Sequence, residues 1–135
     1  MPQQTETATR TRICKVADLP EGQKVRVAGR VLSYDVESGL IILIEGRHGL
    51  LIDSLLSLDN QSSLWATERL STVIALGRLE YPTVRLKVPT IPSHAHPIKV
   101  NENLVLRAIL ILPAPDLDLK LWNAVLIEEE EIGSL

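Results

Sequence analysis

The sequence is poor in aromatic residues, and this scarcity limits what it can bind. It contains no phenylalanine, and its two tyrosines and two tryptophans are Tyr34, Tyr81, Trp65 and Trp122. Proteins that hold single-stranded nucleic acid tightly usually stack successive bases on several aromatic rings. Four rings spread over 135 residues are too few for such a platform. We therefore do not expect this chain to bind a single strand tightly on its own.

Cysteine and long apolar runs are also scarce. Cys14 is the only cysteine, which excludes an internal disulfide and is typical of a reducing compartment. The apolar runs at residues 40–44 and 104–112 have the length of strands, and both fall short of the ~18–20 residues of a membrane-spanning helix. The N-terminal residues are polar and lack the apolar segment of a secretory signal. These features predict a cytosolic or nuclear protein.

Acidic charge is concentrated near the C-terminus. The formal net charge is −3, but residues 113–135 contain one lysine against six acidic residues. The preceding 112 residues carry 13 basic and 11 acidic side chains. A body with a slight basic excess permits contact with nucleic acid without arguing strongly for it.

Five segments have the alternation and β-branched content of strands, at residues 24–35, 40–45, 50–56, 71–81 and 104–112. Gly29 and Gly77 lie in the middle of the first and fourth segments. A glycine there is typical of a bulge or of a sharp bend at the corner of a barrel. The polar stretch at residues 57–70 predicts a loop and a short helix between the third and fourth strands.

This order of elements predicts an all-β fold with flanking helices, a five-stranded OB-fold barrel with a C-terminal α-helix. An SH3-like barrel is the main alternative, since it also has five bent strands, and the connection at residues 57–70 favours the OB fold. We expect a single domain at residues 13–132, which includes a helix at residues 116–131. Residues 1–12 are predicted to be a disordered leader.

The C-terminal helix has more apolar surface than its own core requires. Asp116 is placed to cap it, and Asp118 lies in its positive first turn. At roughly 100° per residue, one apolar stripe contains Leu117, Leu121, Ala124, Val125 and, if the helix is long enough, Ile132. A second stripe contains Leu119, Trp122 and Leu126.

The two stripes together span about twice the ~100° arc of a helix that covers one core. We expect one stripe to cover the barrel and the other to bind a second protein; a helix buried deeply in its own domain is the alternative. Leu117, Leu121 and Val125 are assigned to the core side. The candidates for partner binding are Leu119, Trp122 and Leu126, followed by Leu121 and Val125. The run Glu128–Glu131 is predicted to be a frayed, solvated end, or else to meet basic residues of the partner.

No pattern of catalytic residues is present, and we expect neither an enzyme nor a cofactor. The sequence contains no nucleophile elbow, phosphate-binding glycine loop or zinc motif. His94 and His96 are spaced as two metal ligands on an extended loop, but no cysteine or acidic residue accompanies them at a recognisable spacing. A solvated loop without a metal is therefore expected there.

Candidates for weak nucleic-acid binding follow from the predicted fold. OB domains bind oligonucleotides along their second and third strands, between two connecting loops. The residues near those places are Tyr34, Arg47, His48, Arg78, Tyr81, Arg85 and Lys87. Arginine pairs with phosphate and stacks on bases; ordinary surface charge is the alternative interpretation.

Three stretches resemble one known family. Residues 20–43 read Pro-x-Gly-x-x-Val-Arg-x-x-Gly-Arg-Val-Leu-x-Tyr-Asp and then x-x-Ser-Gly-x-Ile-x-Leu, which is similar to the first hairpin of the small "Ten" subunit of the CST telomere-capping complex. Residues 73–79 resemble its fourth strand. Residues 107–125 resemble the fifth strand and closing helix of its fungal members. The resemblance covers about residues 13–128 and depends on order and spacing; the small subunit of replication protein A is the next most similar family.

The resemblance implies a non-enzymatic, nuclear subunit at chromosome ends. Such a subunit forms a heterodimer with the larger OB-fold Stn subunit, largely through C-terminal helices, and through it reaches the large CST subunit. It supports the hold of the complex on single-stranded telomeric DNA, protects chromosome ends and regulates telomere replication. A structural subunit of replication protein A and an autonomous single-strand-binding module are the alternatives. The loop at residues 82–103 departs from the family, so no family contact is carried over to it.

Overall fold

A computed structural model describes residues 7–57, 70–92 and 97–133. It contains six strands, a short 3-10 helix at Ile13–Asp18 and an α-helix, α1, at Leu119–Gly133. The strands are β1 (Thr9–Arg10), β2 (Lys24–Tyr34), β3 (Leu40–Glu45), β4 (His48–Asp53), β5 (Thr72–Glu80) and β6 (Lys99–Pro113). In the part of the chain described, no helix has the length and apolar character needed to cross a membrane.

Five of the strands close into a barrel. β2 pairs antiparallel with β3 on one side and with β5 on the other, β3 pairs antiparallel with β4, and β5 pairs antiparallel with β6. The parallel pairing of β4 with β6 completes the circle. The predicted OB-fold barrel with a C-terminal helix is confirmed, and its five predicted strands correspond to β2–β6. The predicted helical connection at residues 57–70 falls almost entirely outside the described residues.

Gly29 allows β2 to turn the corner between two neighbours. β2 pairs with β5 from Lys24 to Arg30 and with β3 from Arg30 to Tyr34. A Cβ atom at position 29 would lie 2.7 Å from the carbonyl oxygen of Ile44 and 2.9 Å from Cγ of Leu43. Only glycine lets the backbones approach so closely.

The barrel interior is filled by aliphatic side chains from alternate positions of the strands. Val25, Val27 and Val31 of β2 and Leu50 and Ile52 of β4 belong to this core, as the two-residue period of a strand requires. The 3-10 helix adds Ile13 and Val16, both buried, to the same cluster.

A second apolar cluster lies on the outer face of β3 and β4. Its buried members are Leu32, Leu40, Ile42, Leu51 and Val105. The loop after β5 covers them with Leu86, Val88 and Ile98, and Val100 of β6 packs there too. Two hydrogen bonds hold the loop down: Ser33 Oγ donates to the Thr90 carbonyl at 2.7 Å, and the Leu86 amide donates to the Glu102 carbonyl at 3.0 Å. The described part of this proline-rich loop is therefore an integral part of the fold.

The predicted leader at residues 1–12 is too long. β1 pairs in parallel with Val25 and Arg26 of β2, and the Thr11 amide donates to the Arg26 carbonyl at 3.1 Å. β3 pairs with β2 only from Arg30 onward, so the first half of β2 has a free edge that accepts β1.

The predicted helix boundaries of 116 and 131 are also wrong. α1 begins at Leu119, and Asp118 is the residue that caps it, because its Oδ1 accepts the Leu121 amide at 3.1 Å. Asp116 lies in the turn before the helix. β6 continues to Pro113, so residues 114–118 are needed to reverse the chain before the helix begins.

Candidate partner-binding and nucleic-acid-binding surfaces

Helix α1 packs on the outside of the barrel against β2. Leu126 is its buried residue, at 3% exposed, and Leu119 and Trp122 are half-buried. Ala28, which strand alternation places on the outer face of β2, is also buried. The stripe of Leu119, Trp122 and Leu126 therefore faces the barrel.

The neighbouring stripe of the helix faces solvent. Leu121 is 61%, Val125 39% and Ile132 70% exposed. The assignment of the two stripes from the sequence is thus reversed: Leu126 is not available to a partner, and Leu121 and Val125 are not core residues. Periodicity fixes the angle between two equally apolar stripes but does not say which one faces the barrel. Leu121 and Val125 stay candidates for partner binding.

Two ion pairs join α1 to the N-terminal arm. Arg12 donates from Nε to Glu130 Oε1 at 3.0 Å and from Nη2 to Oε2 at 2.7 Å. Arg10 donates from Nη2 to Glu129 Oε1 at 2.8 Å. The expected frayed end, or contact with a partner, is wrong for these two glutamates, because arginines of the same chain bind them.

The Arg12–Glu130 contact also changes the acid–base behaviour of both groups. The hydrogen bond from Arg12 lowers the pKa of Glu130 below its ordinary value, and its positive charge acts in the same direction. The same hydrogen bond raises the pKa of Arg12. Both shifts favour the charged pair, which joins the N-terminal arm to the end of α1.

An apolar groove of about 220 Å³ lies between α1 and Arg10. Leu117, Leu121, Trp122 and Val125 line it. Trp122 Nε1 is buried and has no hydrogen-bond acceptor among the described residues. The groove and the exposed stripe of α1 form one largely apolar surface, which we call the helix surface.

Several nucleic-acid candidates have structural partners. Tyr81 packs against the barrel core, and its hydroxyl donates to the Leu19 carbonyl at 2.5 Å. Burial raises the pKa of Tyr81, and the charges of Asp18 and Glu21 act in the same direction.

Three of the other candidates have structural partners, and the remaining three are exposed on two separate segments. Arg78 donates to the Gly22 carbonyl at 3.0 Å, Tyr34 packs against the barrel core, and Arg85 pairs with Glu102 at 3.6 Å. Arg47, His48 and Lys87 are exposed. Lys87 lies on the loop after β5, whereas Arg47 and His48 lie together at the β3–β4 turn. Direct contact of these residues with nucleic acid stays a prediction.

The face on which OB domains usually bind oligonucleotides is occupied. It corresponds to the outer surface of β3 and β4, where Leu86, Val88 and Ile98 of the chain's own loop cover the second apolar cluster. His94 and His96 of that loop lie outside the described residues. Within the described residues, no group of three or more His, Cys, Asp or Glu side chains is arranged to hold a metal ion.

Sequence reasoning missed Lys99, which the structure places beside two of the candidates. Its amide donates to the Arg47 carbonyl at 2.8 Å, and it is the register partner of His48. Nothing local in the sequence signals this proximity, because it arises from the parallel pairing of β4 with β6.

Comparison with known proteins gives structural matches alone. No protein-family model and no curated protein sequence matches the chain. The fold is similar to a chain in the crystal structure of the S. pombe Stn1-ten1 complex, with a TM-score of 0.67 and 20% identity over 96% of this chain and 98% of that one.

Two further solved structures share the fold. The telomere capping protein Ten1 from Saccharomyces pombe gives a TM-score of 0.63 and 20% identity over 93% of this chain and 99% of that one. Asparaginyl-tRNA synthetase from Entamoeba histolytica gives a TM-score of 0.58 and 17% identity over 88% of this chain, but over only 26% of the enzyme. The resemblance to the Ten subunit suggested by the sequence is therefore confirmed at the level of the fold.

Proposed function

We propose that this chain is a non-enzymatic subunit of a telomere-capping complex and forms a heterodimer with a larger, Stn-type OB-fold subunit. Two independent observations support this. The sequence resembles the Ten family over about residues 13–128, and the fold matches Ten1 structures over nearly the whole length of both chains. The observation that carries the proposal is the exposed apolar stripe of Leu121, Val125 and Ile132 on a helix that is already anchored to its own barrel.

The helix surface is suited to hold a partner because it is already formed in the free chain. The capping contact of Asp118 fixes the first turn of α1, and the pairs with Arg10 and Arg12 fix its last turns. A surface that is ordered in the free chain loses less conformational entropy on association. Complete burial of such a side chain is worth about 1.5–3 kcal/mol, and Leu121 and Val125, at 61% and 39% exposed, can contribute only the exposed part of that amount.

The barrel offers a second apolar area. Leu110 and Leu112 of β6 are exposed on the outer face of the sheet. Their register partners on β5 are Leu76 and Ile74, which are half-exposed. Contiguous apolar area of this kind on a soluble protein is typical of an interaction surface. We propose that the partner contacts both the helix surface and this part of the barrel.

We propose that the partner subunit makes most of the contacts of the complex with single-stranded DNA. The loop after β5 covers the usual oligonucleotide face of this chain, and aromatic residues are few. The proposed role in the nucleus is therefore to complete and stabilise the heterodimer, which protects chromosome ends, contributes to telomere replication and contacts the large CST subunit. An autonomous single-strand-binding module is less well supported for the same reasons.

Co-purification with the Stn-type subunit tests the proposal. The variant Leu121→Glu/Ile132→Glu should abolish the heterodimer and leave the thermal unfolding of the isolated chain close to that of the wild type, since these side chains are 61% and 70% exposed. Val36→Glu/Val84→Glu is a matched control, because it introduces the same two charges at exposed valines of the β2–β3 turn and of the loop after β5. If the helix variant co-purifies at the wild-type yield, the helix surface is not the interface.

The identity of the partner is tested separately. A pull-down with the full chain from the native source should recover a Stn-type subunit. Recovery of the larger replication protein A subunits in its place would contradict the assignment to a telomere-capping complex and would leave the role of the helix surface intact.

A further inference from the structure

A cavity lies between the barrel and the first turns of α1. Its volume is about 410 Å³, which falls within the ~300–1,000 Å³ typical of ligand sites. Its walls come from β2, from the end of β3 and the turn that follows, from Leu70 and from α1. Ile44, Leu70 and Leu119 supply the apolar part of the lining.

Two basic side chains line this cavity without a counter-ion. Arg30 of β2 and Lys120 of α1 are both exposed. Neither side chain forms a hydrogen bond or an ion pair with any residue that the structure describes. Glu45 is the acidic residue of the lining and pairs with neither of them. Two cations and one carboxylate leave the lining with a formal charge of +1.

Asn123 adds a buried hydrogen-bond acceptor to the same cavity. Its Nδ2 donates to the Leu119 carbonyl at 2.9 Å, one turn earlier in α1. Its Oδ1 is buried and accepts no hydrogen bond from the described part of the chain. A buried acceptor without a donor is unfavourable. The cavity therefore favours a ligand that brings an N–H group as well as a negative charge.

Leu70 forms its part of the wall in a strained conformation. Its φ is 62°, in the left-handed region that residues other than glycine rarely adopt. The Leu70 amide donates to the Val31 carbonyl at 2.7 Å, and the Val31 amide donates to the Ser71 carbonyl at 2.9 Å. These two bonds to β2 hold the conformation. Strain that the surrounding structure maintains in this way is common at ligand sites.

We propose that this cavity binds the C-terminal residue of a peptide, with a free carboxylate and an apolar last side chain, which a partner protein supplies. The carboxylate lies between Arg30 and Lys120, because guanidinium and ammonium groups form charge-assisted hydrogen bonds with carboxylate oxygens. The backbone N–H of the same residue donates to Asn123 Oδ1, and its side chain packs on Ile44 and Leu119. Capture of a terminal carboxylate is a recurring mode of peptide recognition.

The charge of the lining distinguishes this ligand from a phosphate group. A single carboxylate neutralises the formal charge of +1, whereas Glu45 repels a second negative charge. A phosphate dianion also has no hydrogen to donate to Asn123 Oδ1. The cavity is therefore matched to a monoanion that carries a neighbouring N–H group.

This inference goes beyond the proposed function and does not rest on it. At 100° per residue, Asn123 and Val125 lie on opposite sides of Leu126, so the cavity and the helix surface occupy different flanks of α1. The full chain is tested without the Stn-type subunit, and Leu121→Glu/Ile132→Glu should bind the peptide as the wild type does. Loss of the heterodimer and loss of peptide binding are therefore separate results.

The test is an NMR titration of the full chain with the peptide acetyl-Ser-Gly-Ser-Ala-Leu, which has a free C-terminal carboxylate. The backbone amides of Gly46 and Lys120 and the side-chain amide of Asn123 should shift. The same peptide with a C-terminal amide should bind at least about tenfold more weakly, because it lacks the charge-assisted hydrogen bonds. Methylation of the last backbone nitrogen should weaken binding about three- to tenfold, because it removes the donor for Asn123.

The variant Arg30→Gln/Lys120→Gln should bind the carboxylate and amide peptides equally. Arg85→Gln/Lys87→Gln is the matched control, because it removes the same two charges from the loop after β5 and should keep the preference for the carboxylate. Unfolding curves show whether both variants are folded; if the first is destabilised, the comparison of the two peptides on the wild-type chain decides. Equal affinity of the wild type for the two peptides, equal loss of the preference in both variants, or displacement of the peptide by an equal concentration of inorganic phosphate would overturn the proposal.

Discussion

Arg12 and Glu130 are 118 residues apart in sequence and are joined by two hydrogen bonds. Their side chains are 18% and 36% exposed, so the pair is only partly screened by solvent. Two-point arginine–carboxylate contacts are the strongest of the ion pairs in proteins. This one is compatible only with the orientation of α1 in which Leu126 is buried and Leu121 and Val125 remain exposed, and it stabilises that orientation.

The Glu130 contact should give the stability of the protein a pH dependence at acidic pH. The folded-state pKa of Glu130 is depressed from its ordinary value of 4.5, so its contribution is fully present above that value and is lost as the pH falls through the lower, folded-state pKa. The difference in unfolding free energy between the wild type and Glu130→Gln should be constant from about pH 6 to pH 7.5 and shrink below about pH 4.5. Urea unfolding at a series of pH values measures it.

Glu128→Gln is the control for that measurement. Glu128 lies in the same acidic run, is exposed, and forms no ion pair with the described residues. The difference in unfolding free energy between the wild type and Glu128→Gln should not shrink as the pH falls. If it shrinks as much as the difference for Glu130→Gln, the net charge of the helix end causes the effect, and not the contact with Arg12.

Replacement of Gly29 by alanine should destabilise the barrel by about 1–3 kcal/mol, the usual cost of forcing extra atoms into packed surroundings. The added Cβ would lie 2.7 Å from the backbone oxygen of Ile44, which cannot move without disturbing β3. Chemical unfolding checks the prediction. Gly133→Ala is the matched control, because a Cβ at that position meets no atom within 4 Å; similar stabilities for the two variants would contradict a close approach at position 29.

Shortening two apolar side chains of the loop that covers β3 and β4 should lower the free energy of unfolding. Leu86→Ala/Val88→Ala removes apolar atoms that cover the second cluster, and we expect a loss of about 2–4 kcal/mol for the pair, since both side chains are only partly buried. Thermal or urea unfolding measures it. Val84→Ala on the same loop is exposed and should change stability by less than about 0.5 kcal/mol. An unfolding curve of the double variant that coincides with the wild type would show that the loop is not part of the packed structure.

The barrel could be predicted because local signals agreed with one another. Strand alternation, two mid-strand glycines and short turns all specified the same order of elements, and the closure at Gly29 follows from the absence of a side chain. The residue that caps α1 could not be predicted from the sequence. Asp116 and Asp118 are chemically equivalent as caps, and the choice depends on how far β6 extends before the chain turns.

Other features could not be predicted, because they depend on contacts between distant segments. The orientation of α1 is stabilised by ion pairs with Arg10 and Arg12, and the sequence predicts a disordered leader for both arginines. The adjacency of His48 and Lys99 follows from a parallel pairing that has no sequence signature. Leu86 and Val88 cover the second apolar cluster. The sequence does not predict this packing, because the prolines and charges of their loop are typical of solvated segments.

The contacts between the N-terminal arm and α1 have a consequence for local unfolding. β1 is short, and α1 touches the barrel mainly through β2, so neither segment has many contacts of its own. Because Arg10 and Arg12 bind Glu129 and Glu130, detachment of either segment removes the ion pairs that support the other. We therefore expect the first and last described elements of the chain to form one cooperative unit of hydrogen exchange, which opens before the barrel does.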